Sequence, residues 1–560
     1  YPKVSTSEKP LLSAMTDAPD GFVKEVLERI LAGAGDELPV SAFPVDGTFP
    51  TGTTQYEKRG IADFIPIWDD SDLCTQCNKC VAICPHAAIR SKVVNNDMLV
   101  GAPSSLKHVP AKGRPFDTAT ESYVLQVSPE DCTGCDLCVA VCPAVSKEID
   151  DFKSINMRKK LDNKTDEVNN WDYFVNLPYY DRNELQITNV KGSQFLEPLF
   201  EFSGACSGCG ETPYIKLLTQ LYGDSILIAN ATGCSSIYGG NLPTTPYKTN
   251  EFGRGPAWAN SLFEDNAEFG LGMRLALTKK QEIAVDLLKS LEFLVGSEIV
   301  DAIISNPEST EKEKSKKIAD IEELKQTLKV LDNNDDAIKL SNLTEYLRKK
   351  AVWILGGDGW AYDIGYGGVD HVLASGEDIN IMILDTEVYS NTGGQTSKAT
   401  PLGASAKFSV SGKRTSKKNL ALQAVSYQNV YVAQIAIGAK DLQTLKAIEE
   451  AAAYPGPSVI IAYSHCGEHG YDLAHGAEQQ EKAVESGYWP LFRFDPQQPK
   501  GKKFRLDSKK PTIPLSDFMY NETRFTRVVK DDAVLGKQLL DRAQEEVNSQ
   551  WERLEIYRDM

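Results

Sequence analysis

Two runs of four cysteines constrain this chain more than any other feature. Both runs have the spacing C-x2-C-x2-C-x3-C-P. The first is Cys74, Cys77, Cys80 and Cys84, and the second is Cys132, Cys135, Cys138 and Cys142. Short loops of this kind bring several soft thiolate sulfurs round one metal centre, and the proline that follows stops the turn from continuing. The eight sulfurs are therefore expected to bind metal.

The spacing is typical of bacterial two-cluster ferredoxins, in which the fourth cysteine of each run ligates the cluster of the other run. It predicts one [4Fe-4S] cluster on Cys74, Cys77, Cys80 and Cys142, and a second on Cys132, Cys135, Cys138 and Cys84. The alternatives are a disulfide framework and zinc ribbons. Disulfide frameworks are typical of small secreted proteins rather than a chain of 560 residues, and a zinc knuckle needs two cysteines rather than four. We expect this segment to carry electrons.

Four further cysteines lie outside these runs, at Cys206, Cys209, Cys234 and Cys466. The first two form a C-x2-C pair in a glycine-rich loop, whereas Cys234 and Cys466 each follow an apolar, strand-like run. Because the ends of parallel strands meet at one edge of a sheet, distant cysteines at such ends can come together. The residues alone leave two possibilities open, a third cluster or ordinary buried thiols.

Gly357, Asp358 and Gly359 follow the strand-like segment 351–355, and a second apolar run, 379–384, leads into the polar segment 385–394. A strand that delivers Gly-Asp-Gly, then a helix, then a strand that delivers Asn resembles the magnesium diphosphate motif of thiamine diphosphate enzymes. Mg²⁺ prefers oxygen ligands and shares its shell with phosphates and water. Asp358 would supply a carboxylate, and Thr386, the Val388 backbone or Asn391 further oxygens. The glycines permit close approach of the backbone to the diphosphate.

The order of these motifs resembles that of the pyruvate:ferredoxin oxidoreductase family, over essentially the whole chain. The resemblance is carried by the cysteines together with segments 231–239, 357–365 and 386–395. It implies a third [4Fe-4S] cluster on Cys206, Cys209, Cys234 and Cys466, and Mg²⁺ on Asp358, Thr386 and Val388. It implies contacts to thiamine diphosphate from Gly357, Asp358, Gly359, Trp360, Cys234, Ile237, Thr386, Val388, Asn391 and Thr392. Asn391, close to diphosphate and substrate, is the expected catalytic residue.

The family resemblance also implies a reaction. Pyruvate and coenzyme A would give acetyl-CoA and CO2, and electrons would pass singly through three clusters to ferredoxin or flavodoxin. The alternatives are a related 2-oxo acid:ferredoxin oxidoreductase, part of a pyruvate:NADP oxidoreductase, or a polyferredoxin whose larger domain is only a scaffold. In the family, the aminopyrimidine and coenzyme A sites precede the ferredoxin part. We therefore expect a missing N-terminal half as a partner, and a homodimer of the full assembly.

The predicted fold class is α/β, with a doubly wound, mostly parallel sheet and an α+β ferredoxin-like domain inserted before it. We expect a connector over residues 1–60, a ferredoxin-like domain over 61–180, the cofactor domain over 190–500 and a C-terminal arm and helix over 501–560. The sheet strands are predicted near 225–229, 351–355, 379–384, 430–437 and 457–463.

Three amphipathic or charged segments complete the organisation. A short helix is predicted to bury Phe22, Val26, Leu27, Ile30 and Leu31 on one face. The charged segment 308–350 is predicted to be helical with a solvated face. The arm from Lys502 to Pro514 is expected to be irregular. A terminal helix with an apolar stripe is predicted over 531–558. We favour a contact between subunits for this stripe over docking on its own domain. The stripe is formed by Leu539, Ala543, Val547, Trp551 and Leu554.

Composition excludes two kinds of partner. A formal net charge of -18 argues against nucleic acid, which needs a basic face. No apolar stretch reaches the length that spans a membrane. Thiolate-bound clusters require a reducing compartment, which predicts a cytoplasmic protein of an organism that protects such clusters from oxygen. An acidic electron acceptor would need a local basic patch, for which the candidates are Lys107, Lys112, Arg114 and the run 158–160.

Overall fold

The computed structural model describes residue 19 and residues 21–559. The strands of this part are β1 (Phe64–Trp68), β2 (Ile89–Asn95), β3 (His108–Pro110), β4 (Glu121–Val127), β5 (Ile155–Lys159), β6 (Ile226–Ala231), β7 (Ala257–Ser261), β8 (Ala351–Gly357), β9 (Asn380–Asp385), β10 (Tyr431–Ile435), β11 (Ser458–Tyr463), β12 (Phe492–Phe494) and β13 (Phe504–Leu506).

The α-helices are α1 (Glu28–Leu31), α2 (Lys79–Ile83), α3 (Leu137–Ala140), α4 (Lys160–Val175), α5 (Val190–Ser193), α6 (Thr212–Tyr222), α7 (Cys234–Gly239), α8 (Asn266–Ser290), α9 (Glu292–Val295), α10 (Ser297–Ser305), α11 (Glu311–Val330), α12 (Asp335–Ser341), α13 (Tyr366–Ser375), α14 (Leu420–Val425), α15 (Asp441–Ala453), α16 (Gly476–Glu485), α17 (Leu515–Met519), α18 (Thr523–Asp531) and α19 (Ala533–Asp559). Wider π-helical turns occupy Val23–Leu27 and Gly359–Ile364.

The five apolar runs predicted as strands form the centre of an eight-stranded sheet, as β6, β8, β9, β10 and β11. The strand order is β13-β12-β10-β11-β9-β8-β6-β7, and all neighbours from β10 to β7 are parallel. Strands β12 and β13 extend one edge in antiparallel pairing. The predicted mostly parallel α/β sheet is confirmed. All the carboxyl ends of its parallel strands lie along one edge.

Both faces of this sheet are covered, which explains why its strands are continuous apolar runs rather than alternating ones. Leu355 and Leu384 point into a core shared with α6 and α15. Ile354 and Ile383, one position earlier, point into a core shared with α8, α13 and α14. Side chains of consecutive strand residues point to opposite faces, so each strand contributes to both cores.

The ferredoxin-like part is built from two small antiparallel sheets, β1 with β5 and β2-β4-β3, together with the short helices α2 and α3. Its apolar core is continuous with the core that lies between α6 and the larger sheet. Lys216 of α6 is buried and donates from Nζ to the carbonyls of Val81, Ala82 and Cys84 at the end of α2. The two parts are therefore joined through their cores and by a buried lysine.

The C-terminal segment differs from the sequence expectation in two ways. The arm is irregular over most of its length, as expected, but its residues 504–506 form β13, because Phe504 stacks on Phe492 and pairs with the sheet edge. The stripe of α19 lies against its own domain, where Leu539 and Leu554 join the core of α17 and α18. The expectation that this stripe forms a subunit contact is wrong, since all five side chains are already buried within the chain.

The other two predicted segments are helical. In the N-terminal helix Val26 and Leu27 are buried, whereas Leu31 is 40% exposed, so the apolar face is narrower than predicted. Residues 1–18 of the expected connector lie outside the described residues. Segment 308–350 forms α11 and α12, whose Leu324 and Leu340 share a small core with α8 and α10.

Among the helices that the structure describes, none combines the length and apolarity needed to cross a membrane.

The packing of α19 gives a stability prediction. Leu554→Ala removes a fully buried side chain and should destabilise the domain by about 2–5 kcal/mol, because it creates a cavity in a close-packed core. The measurement is the thermal unfolding midpoint under anaerobic conditions. Ile556→Ala on the same helix is the matched control, since Ile556 is 60% exposed and should change the midpoint little. Equal midpoints for the two variants would contradict the assigned packing.

Candidate cluster and cofactor sites

The two ferredoxin-type cysteine runs fold into similar loops. Asn78 and Asp136, directly before α2 and α3, both adopt a left-handed conformation with φ of 61° and 64°, which these residue types tolerate. The N–H of Gln76 donates to Cys74 Sγ at 3.4 Å, and the N–H of Gly134 donates to Cys132 Sγ at 3.4 Å. Backbone donors at the same place in both loops suit sulfurs that carry negative charge.

The eight sulfurs separate into the two sets that the crossed pairing predicts. One cavity is lined by Cys74, Cys77, Cys80 and Cys142. A second cavity is lined by Cys84, Cys132, Cys135 and Cys138. Burial, and then the neighbouring thiols, raise the pKa of Cys80 and Cys138 well above the ordinary value. Thiolates gathered in one buried cavity repel one another unless a cationic centre lies between them, which fits an iron-sulfur cluster.

The remaining four cysteines gather at the carboxyl edge of the large sheet. Cys234 begins α7 after β6, and Cys466 follows β11. Burial, followed by Glu211, Cys209 and Cys466, raises the pKa of the Cys234 thiol. Burial also raises the pKa of Cys466, with a smaller contribution in the same direction from Cys206. The structure thus places the four thiols close enough to influence one another. Their donor set fits a third cluster.

A close backbone approach holds this third group together. Gly210 N–H donates to the His465 carbonyl at 3.1 Å, and the His465 ring nitrogen Nε2 is hydrogen-bonded to the Gly208 carbonyl at 2.9 Å. A Cβ atom on Gly210 would lie 2.4 Å from the backbone nitrogen of His465. Only glycine permits this approach, which carries Cys209 towards Cys466. His465 therefore orients the loop, and burial lowers the pKa of its ring to about 4.

Among the described residues, no three His, Cys, Asp or Glu side chains lie close enough to hold a single metal ion. A zinc site would need its ligands within about 2.3 Å of one ion, whereas the ligands of a cubane surround a much larger group.

A buried carboxyl beside the third group was not anticipated from the sequence. Glu211 is 3% exposed and accepts a hydrogen bond from Tyr238 Oη at 2.8 Å. Burial raises the pKa of Glu211 to about 7. Nothing in the sequence singles out this residue, since an acidic residue at the start of a helix is common and usually exposed.

Three oxygens converge where β8 and β9 end. Thr386 Oγ1 donates to Asp358 Oδ1 at 3.0 Å and lies 3.1 Å from the carbonyl oxygen of Val388. Ser397 Oγ, which the sequence reasoning missed, donates to Asp358 Oδ2 at 2.6 Å. Hard oxygen ligands on two adjacent loops match the preference of Mg²⁺. Of the alternatives that the sequence left open, the structure brings Thr386 and Val388 to Asp358.

The charge at this point also fits a cation. Asp358 is fully buried, and burial and then Asp385 raise its pKa well above the ordinary value. Lys417 Nζ already contacts Asp385 Oδ2 at 2.8 Å and Glu387 Oε1 at 2.9 Å, but it does not contact Asp358. A divalent ion would supply the positive charge that keeps Asp358 ionised.

The other predicted cofactor contacts surround these oxygens. Gly359 begins a π-helical turn, and a Cβ there would lie 2.7 Å from the Tyr389 ring. Trp360 is fully buried with its ring behind Gly356, so any contact that it makes to a diphosphate is through its backbone. Ile237 is 53% exposed. Asn391 and Thr392, in the loop that follows β9, are both exposed.

A buried ion network fixes the loop that carries Thr386 and Val388. Glu387 lies between them with a left-handed φ of 63°. Its carboxylate accepts from Lys417, from Tyr488 Oη at 2.6 Å and from Arg524 of α18 at 2.7 Å. Burial by itself would raise the pKa of Glu387, but Lys417 and Arg524 lower it to about 2. The C-terminal helices therefore anchor the candidate magnesium loop.

Three family models match the chain. Residues 8–62 match a domain of unknown function called EKR, residues 73–145 match a 4Fe-4S dicluster domain, and residues 337–462 match the C-terminal TPP binding domain of thiamine pyrophosphate enzymes. The pyruvate-flavodoxin oxidoreductase of Nostoc sp. is 54% identical over 96% of this chain and 45% of its own length. The chain belongs to the pyruvate:ferredoxin (flavodoxin) oxidoreductase family.

Other members of this family show similar coverage. A probable pyruvate-flavodoxin oxidoreductase of Escherichia coli is 52% identical over 96% of this chain and 44% of its own length. The pyruvate:ferredoxin oxidoreductase of Moorella thermoacetica is 47% identical over 98% of this chain and 46% of its own length. The chain thus spans about half the length of the curated relatives it matches.

Two more distant matches are known. A protein named pyruvate dehydrogenase [NADP(+)] from Cryptosporidium parvum is 42% identical over 95% of this chain and 30% of its own length. Among solved structures, a 2-oxoglutarate:ferredoxin oxidoreductase from Magnetococcus marinus has a TM-score of 0.30 and 15% identity, covering 48% of this chain and 65% of that chain. A superposition at that level supports no inference about the site.

The close contact at Gly210 gives a prediction for this family member. Gly210→Ala should push the 206–210 loop away from His465 and abolish the third group of ligands. Iron in the anaerobically purified protein should then fall from about twelve to about eight atoms per chain, since each cubane holds four. Gly467→Ala is the control, because it lies next to Cys466 and its Cβ would meet no atom within 4 Å. Unchanged iron in Gly210→Ala would refute the proposed ligand set.

The oxygen cradle gives a second prediction. Asp358→Asn keeps the shape of the side chain but removes its charge, and should weaken Mg²⁺-dependent binding of thiamine diphosphate by more than a hundredfold. Loss of a buried ionic partner costs about 3–5 kcal/mol. Calorimetry on the intact assembly measures the affinity, and iron content should stay at the wild-type value. Unaltered affinity in the variant would exclude Asp358 as a magnesium ligand.

Proposed function

We propose that this chain holds the diphosphate site and the electron-transfer groups of an enzyme that converts pyruvate and coenzyme A to acetyl-CoA and CO2, with ferredoxin or flavodoxin as electron acceptor. The observation that carries the proposal is the convergence of the Asp358 oxygen cradle and the third cysteine group on one edge of one sheet. Family membership supports the substrate, since the relatives above are named for pyruvate.

The residues of the diphosphate site have distinct roles in the proposed enzyme. Asp358, Thr386 and Val388 would hold Mg²⁺ and through it the diphosphate, and Asn391 would face the substrate. Thiamine diphosphate, when bound, supplies a carbon nucleophile and an electron sink for the decarboxylation. Gly357 and Gly359 leave room for the diphosphate against the backbone, and the helical turn that follows directs its free N–H groups towards the negative charge.

The three cysteine groups lie in a definite order. The third group, near the cradle, contacts the loop of the second run, where Ser207 Oγ donates to the Thr133 carbonyl at 3.1 Å. A Cβ atom on Gly208 would lie 3.7 Å from Cys135 Cβ. We propose that the set of Cys132, Cys135, Cys138 and Cys84 is the middle group. We propose the set that contains Cys74 and Cys77 as the exit.

The surroundings of this exit group suit an acidic acceptor. Lys112 Nζ donates to the Cys74 carbonyl at 3.1 Å, and Lys191 Nζ donates to the Lys112 carbonyl at 2.5 Å. The thiols of Cys74 and Cys77 lie near enough to Lys191 to oppose the burial that lowers its pKa. Of the predicted basic candidates, Lys112 therefore lies at the exit loop, and Lys191 is a neighbour that the sequence did not single out.

Because the chain spans about half the length of the relatives above, we propose that a partner half completes the enzyme. The aminopyrimidine and coenzyme A sites, and the choice among 2-oxo acids, are assigned to a partner half, and the full assembly is proposed to be a homodimer in the cytoplasm. A relative named for NADP matches 95% of this chain, so the same segment would serve with either acceptor.

The proposal is tested by EPR on the intact assembly with pyruvate, thiamine diphosphate and Mg²⁺. Wild-type protein should show substrate-dependent reduction of its clusters, and flavodoxin should then be reduced. Cys77→Ala should lose about four irons of twelve. Its two remaining clusters should still be reduced by pyruvate, whereas reduction of flavodoxin should fall to background.

Two results would contradict the proposal. Full reduction of flavodoxin by Cys77→Ala protein would place the exit elsewhere. A wild-type assembly with three clusters and no response to pyruvate would show that another 2-oxo acid is the substrate, and the same measurement with 2-oxoglutarate or 2-oxobutyrate would identify the class.

A further inference from the structure

Ser390 lies against one of the proposed cluster ligands. Its hydroxyl oxygen is 3.3 Å from Cys234 Sγ, although 156 positions separate the two residues in the chain. In a free thiol either atom could be the donor. A cysteine bound to iron is a thiolate without a proton, so the Ser390 hydroxyl would be the donor and the sulfur the acceptor.

A tight turn fixes the position of this hydroxyl. Gly393 N–H donates to the Ser390 carbonyl at 3.0 Å, and Gly394 N–H donates to the Tyr389 carbonyl at 2.9 Å. Tyr389 N–H in turn donates to the Gln395 carbonyl at 3.0 Å, and the Tyr389 ring contacts the Gly359 position of the diphosphate turn. The backbone on both sides of Ser390 is thus held by the loop that carries Val388 and Asn391.

We propose that Ser390 sets the reduction potential of the third cluster by donating a hydrogen bond to the Cys234 thiolate. This inference rests on the proposed function, because it assumes that Cys206, Cys209, Cys234 and Cys466 hold a cluster. One-electron reduction adds a negative charge to the cluster, so a hydrogen bond to its sulfur is stronger in the reduced state and favours electron uptake. No proton is transferred, and the hydroxyl keeps its hydrogen. Ser390 would act as a positioning residue between the cofactor loop and the cluster.

The placement explains why this cluster needs such a donor. Burial, and then Glu211, Cys209 and Cys466, disfavour negative charge on the Cys234 sulfur, whereas the Ser390 hydrogen bond favours it. In the ferredoxin-like loops, backbone N–H groups of Gln76 and Gly134 donate to the sulfurs of Cys74 and Cys132. Ser390 provides from a distant loop the kind of donor that those two loops provide locally.

The experiment is a redox titration of the intact assembly, followed by EPR, with a chemical reductant and no pyruvate. In Ser390→Ala protein one of the three clusters should become harder to reduce, by about tenfold in its equilibrium constant, which is about 59 mV for a one-electron couple. The other two potentials and the iron content should match the wild type. Ser390→Thr, which keeps a hydroxyl, should restore the wild-type potential.

Ser405→Ala is the matched serine control, since its hydroxyl donates to the Val410 carbonyl in a neighbouring loop and lies away from the proposed ligands. A second readout does not depend on the reduction potential: pulsed EPR of the reduced wild-type cluster should detect an exchangeable proton that disappears in Ser390→Ala protein. Three unchanged potentials with full iron in that variant would overturn the proposal. Loss of the third cluster's iron in Ser390→Ala but not in Ser390→Thr would also overturn it, since the hydroxyl would then be needed for assembly.

The titration separates this inference from the proposed function. Because no substrate is present, a shift in one potential supports the role of Ser390 even if pyruvate fails to reduce the protein. Conversely, normal reduction by pyruvate with unchanged potentials in Ser390→Ala would retain the proposed function and reject the tuning role.

Discussion

The parallel alignment of β6, β8, β9 and β11 is the constraint on which the rest of the structure depends. Hydrogen bonding between parallel strands fixes their register, so their carboxyl ends must lie along one edge. Each of these ends delivers one chemical group: Cys234 after β6, Asp358 after β8, Thr386 after β9 and Cys466 after β11. Residues far apart in the numbering, such as Cys234 and Cys466, are thereby brought to the same edge of the sheet.

This arrangement buries charged side chains, and residues from distant segments of the chain stabilise them through ion pairs and hydrogen bonds. An unpaired buried ion is strongly destabilising, so each one in the structure has specific contacts. Arg524 lies between Glu387 and Glu522, and both carboxylates are fully buried. Lys216 is held by three carbonyls at the end of α2, where the helix dipole favours a positive charge. These contacts couple the C-terminal helices and the ferredoxin-like part to the cofactor edge.

The sequence could predict what depends on short-range pattern. Local structure is specified by the spacing of the two cysteine runs, by the apolar runs of the sheet and by Gly-Asp-Gly after β8. The structure has the corresponding loops and strands at the positions that these patterns predict. Contacts across the fold have no such signal. Nothing near Ser390 points to Cys234, and nothing near Arg524 points to Glu387, 137 residues away. The stripe of α19 shows the limit most clearly, since its spacing predicts a buried face but not whether its own domain or a second subunit covers it.

The central claim is that twelve cysteines hold three cubanes, with the third beside the diphosphate site. Mössbauer spectroscopy of the intact, anaerobically purified assembly tests it most directly, because it counts iron by cluster type without relying on activity. The account predicts that essentially all iron is in [4Fe-4S] clusters at about twelve atoms per chain. It also predicts that Cys466→Ala removes about four of them and leaves the other two clusters intact. About eight atoms per chain in the wild type, or no loss on replacing Cys466, would contradict it.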